Sequence, residues 1–149
     1  MAALLDKISQ DLNTALKSHE ETAVSALRMT LSDVKNAQIA KGAELTDDEV
    51  LSEINKDAKK HKESIEAYKS AGRADLVQKE EAELEVLLRY LPQALSDEEL
   101  ANIVDEAISA LGVNSIADMG RVVKAVMSSA GTRADGAKVA AIVRDKLSG

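Results

Sequence analysis

At 149 residues, 45% hydrophobic and 30% charged, the chain is too apolar for disorder and can bury about 68–70% of its unfolded surface if it folds as one unit. It has no Cys, Phe or Trp and only two Tyr, which excludes disulfides, thiolate metal sites and a cysteine nucleophile and leaves Leu, Ile, Val, Ala and Met to build the core. The net charge of −7 argues against generic affinity for nucleic acid or anionic lipid, though a local basic patch is compatible with it.

The first apolar stripe, Leu4, Leu5, Ile8, Leu12, Ala15 and Leu16, steps by three or four residues and predicts a helix to about Lys17. A second, Val24, Leu27, Leu31 and Val34, runs to Gly42, a natural residue to follow a helix end. Thr46-Asp47-Asp48-Glu49 reads as a capping box. The helix it opens carries Val50, Ile54, Ala58, His61, Ile65 and Tyr68 on one face and stops at Gly72. A fourth helix follows Arg73-Ala74-Asp75, with Val77, Leu84, Leu87, Leu88 and Leu91. Its end is marked by Pro92, the single proline.

Ser96-Asp97-Glu98-Glu99 is a second capping box, and Leu100, Ile103, Val104, Ala107, Ile108 and Leu111 continue it to Gly112. Ser115 starts a sixth helix with Met119, Val122, Val123, Val126 and Met127 inward, and Asp135 caps a seventh with Val139, Ala140, Val143 and Leu147. No segment sustains a period of two. The expected fold is all-α with about seven helices: a four-helix part over 1–92 and a three-helix domain over 93–149. Met1-Ala2-Ala3-Leu4-Leu5-Asp6-Lys7-Ile8 lacks the apolar run of a signal peptide, and no stretch approaches the ~20 apolar residues of a membrane span. A soluble, cytoplasmic chain is expected, with no membrane contact and a monomeric state.

Catalytic residues are sparse. Of the two histidines, His19 sits in the polar link Ser18-His19-Glu20-Glu21, and His61 falls on the apolar stripe of the third helix. His61 is either a general base or a partly buried helix-face residue, and the second reading is preferred. There is no phosphate-binding glycine loop. Glu80, Glu81, Glu83 and Glu85 read as a solvated helix face. No His, Asp or Glu spacing resembles a metal site, so neither metal ligands nor a cofactor are expected.

Two features could serve anion binding, although a solvated, salt-bridged helix face is the preferred reading of the first and a plain loop with a helix cap that of the second. Lys56, Lys59 and Lys60 share one face of the third helix and could track a phosphate backbone, with Lys62 close by. Against this, Lys59–Glu63 and Lys62–Glu66 are spaced for neutralising i,i+4 pairs. Gly131-Thr132-Arg133-Ala134-Asp135-Gly136 runs into a helix start where free amides and Arg133 could hold an anion, with Asp135 working against it.

The run Leu91-Pro92-Gln93-Ala94-Leu95-Ser96-Asp97-Glu98-Glu99-Leu100, then Asp118-Met119-Gly120-Arg121-Val122-Val123, then Arg133-Ala134-Asp135-Gly136, resembles the YqeY family. So do Leu27-Arg28-Met29, Lys35-Asn36-Ala37, Leu45-Thr46-Asp47-Asp48-Glu49-Val50 and Ala71-Gly72-Arg73-Ala74-Asp75-Leu76 in the first half. The family shares its C-terminal helical domain with the tail of the B subunit of the glutamine-dependent tRNA amidotransferase, where such a tail helps hold tRNA. The resemblance therefore implies a non-catalytic, tRNA-associated accessory protein, with Arg121, Lys124, Arg133 and Lys138 as candidate contacts beside Lys56, Lys59 and Lys60. The family usually places proline and lysines in the stretch that here reads Met127-Ser128-Ser129-Ala130-Gly131-Thr132, so a weak grip is expected. The alternative is a helical adaptor docking on a protein partner in translation. Carbon–nitrogen ligase activity with glutamine as amide donor has the least support, because neither an amidase Ser-Ser-Lys arrangement nor an ATP-activating domain is present. No catalytic residue is assigned.

Overall fold

A computed structural model describes residues 3–148, and every regular element among them is helical. The α-helices are α1 (Ala3–Lys17), α2 (Glu21–Lys41), α3 (Asp47–Ser70), α4 (Ala74–Leu88), α5 (Asp97–Leu111), α6 (Met119–Ala130) and α7 (Gly136–Ser148). Single 3-10 turns, Ile116–Asp118 and Gly131–Arg133, lead into and out of α6. The chain divides into two compact units, 1–91 and 92–149.

Local chemistry sets the helix ends. Thr46 accepts from the Glu49 amide at 3.2 Å while the Glu49 carboxylate accepts from the Thr46 amide at 3.2 Å, and Ser96 and Glu99 repeat the exchange at 3.1 and 3.3 Å. Each box satisfies amides that have no partner inside the helix. α3 and α5 end on left-handed glycines, Gly72 and Gly112. α1 ends in the same way without a glycine. His19 takes φ 57°, the Glu20 amide reaches back to the Ala15 carbonyl at 3.0 Å, and the His19 amide bonds Leu16 at 3.4 Å. This is a Schellman closure with histidine in the glycine position. Ser115 caps the 3-10 turn rather than α6 itself, accepting from Ala117 at 3.2 Å, so the sixth α-helix starts four residues later, at Met119.

In the first unit α3 and α4 form a hairpin, α2 packs on both α1 and α4, and the core gathers Leu5, Ile8, Leu27, Val34, Val50, Ile54, Val86 and Leu87. Two residues from the predicted apolar stripes face outward: Leu16 is 40% and Leu88 44% exposed, and Val86 is buried instead of Leu88. The second unit closes over Leu100, Val104, Val122, Val126, Val139, Val143 and Leu147. Lys138 pairs with Asp97 at 2.5 Å and Lys146 with Asp105 at 2.8 Å. Both pairs advance by eight residues in the same sense, so α5 and α7 run parallel.

Candidate functional site

The basic residues expected to meet phosphate do not form one cluster. Arg121 and Lys124 stand on exposed positions near the start of α6. Arg133 follows its far end, and Lys138 lies in the first turn of α7. Ala130, at the end of α6, lies about 14 Å along the helix axis from Arg121 and about 9 Å from Lys124, which separates the two pairs. Arg121 lies 3.6 Å from Asp118, and Lys138 is tied to Asp97. Lys124 makes no ion pair among the described residues. Arg133 is fixed from both sides: its Nε donates to the Gln93 carbonyl at 3.1 Å, and its own carbonyl accepts from the Leu95 amide at 2.9 Å. Its side chain is exposed and forms no salt bridge among the described residues. Asp135 caps α7, accepting from the Ala137 amide at 3.0 Å, as the loop sequence implied.

On α3, Lys56, Lys59, Lys60 and Lys62 are all exposed. The expected Lys59–Glu63 and Lys62–Glu66 pairs do not form. Lys56 instead reaches Glu53 at 3.3 Å, and Glu66 pairs with Lys69 at 3.9 Å. Exposed pairs gain too little over side-chain entropy to dictate which neighbour a lysine chooses. The lysine face is therefore less neutralised than its spacing suggests.

The side of α3 opposite these lysines holds polar groups inside the first unit. His61 is 6% exposed, and its Nδ1 bonds Glu80 Oε2 and lies 3.9 Å from Glu83 Oε2. Ser25 on α2 donates to the other Glu83 oxygen at 3.1 Å. This overturns the reading of residues 80–85 as a wholly solvated face: Glu83 is 6% exposed, while Glu81 and Glu85 do face solvent. It also brings His61, Glu80 and Glu83 into a group of potential metal donors, which no sequence spacing revealed. One helical turn away, Thr30 on α2 donates to Asp57 on α3 at 3.4 Å. Burial, and the Asp33 carboxyl facing it, push Asp57 up to about 7, with Lys60 and Thr30 opposing.

A third polar group lines a cavity of about 270 Å³ bounded by Lys7, Asp11, Glu20, Arg89 and Tyr90. The Tyr90 hydroxyl donates to Asp11 at 2.5 Å, and Lys7 lies 5.6 Å from the ring centre. Burial and the Asp11 carboxylate raise the phenol well above its usual range. His19, by contrast, is exposed in its turn, as expected.

Comparison with known proteins places this chain in a family. An uncharacterized protein of Schizosaccharomyces pombe is 33% identical over 90 residues, 60% of this chain and 73% of that protein. The mitochondrial protein "altered inheritance of mitochondria protein 41" of Pyrenophora tritici-repentis is 32% identical over 133 residues, 88% of this chain and 73% of its own. Its namesake in Eremothecium gossypii is 35% identical over 105 residues, which cover 68% of this chain and 57% of that one. The family described as Yqey-like protein matches residues 5–147, so the N-terminal four helices and the C-terminal three match together, and the chain belongs to the YqeY family.

Proposed function

We propose that this chain is a non-catalytic accessory protein that associates with tRNA through its C-terminal unit. The observation that carries the reading is Arg133, whose guanidinium is exposed, forms no salt bridge among the described residues and is held in place by its bond to Gln93. A pre-positioned guanidinium loses little freedom on meeting a phosphate and presents a fork that matches it. The likeness of this unit to the amidotransferase tail supplies the ligand. Lys124 adds one more charge, while Arg121 and Lys138 must first leave Asp118 and Asp97.

The test is binding of the full chain to total tRNA across a salt series. Micromolar affinity falling linearly with log salt is expected, and Arg133→Glu should weaken it and flatten the slope by roughly 0.7–0.9. Absence of binding at low salt, or an unchanged Arg133→Glu, removes the proposal. The place proposed for this activity is the cytoplasm, and the mitochondrial names of the fungal relatives mark the compartment to test it against. No helix among the described residues is long and apolar enough to cross a membrane.

A second reading, docking on a protein partner, is favoured by α2, where Ile39 is 70% and Met29 51% exposed. Ile39→Lys separates the two readings: it should abolish a protein complex and leave tRNA affinity unchanged.

A further inference from the structure

The buried group of His61, Glu80 and Glu83 is used by neither reading. We propose that it is a binding site for a divalent transition-metal ion of the zinc class, tying α3 to α4 inside the first unit. His61 Nδ1 and one oxygen of each glutamate all lie within 4.8 Å of one another. One imidazole and two carboxylates form a donor set that suits zinc and its neighbours; magnesium and calcium prefer oxygen alone. Three protein ligands leave a fourth position for water.

Two further observations point the same way. The first is charge. Neither Glu80 nor Glu83 forms an ion pair with any Lys or Arg among the described residues, and His61 is the single basic side chain paired with them. A proton on the ring balances one carboxylate, whereas a divalent cation balances both. A carboxylate as deep as that of Glu83, 7% exposed, is costly without such a partner. The second is the support behind the donors. Ser25 holds Glu83 Oε1, leaving Oε2 to face the imidazole, which is how outer partners orient a metal-binding carboxylate.

The geometry needs one adjustment. Tetrahedral zinc, with bonds of about 2.0–2.2 Å, spaces its donor atoms ~3.4 Å apart. His61 and Glu83 are 3.9 Å apart and need only a slight closure. The direct His61–Glu80 hydrogen bond must open instead. Glu80 is the carboxylate able to withdraw, since its side chain is 19% exposed against 7% for Glu83.

The experiment is calorimetric titration of the untagged full chain with zinc chloride and, separately, magnesium chloride. Uptake of one equivalent of zinc at micromolar affinity or better is expected, with none of magnesium. His61→Gln and Glu83→Gln should each weaken zinc binding at least tenfold, while His19→Gln should leave it unchanged. Because the two buried variants can lose the fold, Glu80→Gln at the partly exposed position decides the matter. Its far-UV spectrum should match the parent, and zinc should no longer raise its Tm. Cobalt(II) should give the visible absorption of a tetrahedral ion in the parent and not in Glu80→Gln. A folded parent that takes up no zinc, or a Glu80→Gln variant that binds it as the parent does, overturns the proposal and leaves the direct His61–Glu80 hydrogen bond as what joins α3 to α4 here. Neither result bears on tRNA binding, which is read from a different unit of the chain.

Discussion

At position 19 a histidine performs a glycine's task. Its φ of 57° closes the turn after α1, a conformation that costs a residue with a Cβ about 1–2 kcal/mol, offset in part by the extra unfolded freedom of glycine. His19→Gly should therefore stabilise the first unit by about 0.5–1 kcal/mol, seen as a higher urea midpoint at constant slope. Asp57 offers a second residue-scale test. Its carboxyl titrates near 7 in the fold, against 3.8 as an ordinary side chain, so the folded chain holds this proton more tightly than the unfolded one. Stability then falls as pH rises from about 4 to about 7 and levels off above that. The amide introduced by Asp57→Asn keeps an acceptor for Thr30 and offers a donor to Asp33 with no charge to bury. This variant should match the parent near pH 4 and exceed its unfolding free energy by at least about 1 kcal/mol at pH 8. Equal stabilities at pH 8 would mean that the Asp33–Asp57 contact relaxes in solution.

The elements are where sequence and structure agree most closely, because their ends rest on local chemistry. Both capping boxes are readable from four consecutive residues, and the structure forms them with the same donors and acceptors. Thr46→Ala and Ser96→Ala should each lower stability by about 1 kcal/mol, measured by chemical unfolding. Glycine at C′ is legible for the same reason. What escaped sequence reasoning is the interior of α4. Glu80 and Glu83 are spaced i,i+3 and so share a face, yet in a run with Glu81 and Glu85 they look like four equivalent solvated charges. Only the pairing of α4 with α3 separates them, bringing His61 across the hairpin from a position 19 residues earlier. The available signal was the imidazole on an otherwise apolar stripe: a buried ring nitrogen requires a partner, and the partner had to come from the next helix. The surface lysines depart from their spacing for the opposite reason. Lys59 and Lys62 each had acceptable partners by spacing, but nothing in solvent selects one.

For the whole molecule, the two hydrophobic clusters share no residue. One is built from Leu5 through Leu87 and the other from Leu100 through Leu147. A chain with two cores has two chances to lose one of them. The aromatic content makes this measurable, because Tyr68 and Tyr90 both belong to the first unit and no Trp or Phe is present. Tyrosine fluorescence therefore reports on residues 1–91 alone, while far-UV circular dichroism reports on helices in both units. Leu100 is 1% exposed and anchors α5 in the second core. Leu100→Ala should cost that unit about 2–5 kcal/mol. The expected result is a circular dichroism transition that splits, its early part moving to lower urea, while the tyrosine transition stays where the parent has it. Coincident shifts of both probes would instead show one cooperative system. In that case a phosphate bound beside Arg133 and a cation held by His61 would be thermodynamically linked, each raising the stability of the unit that holds the other.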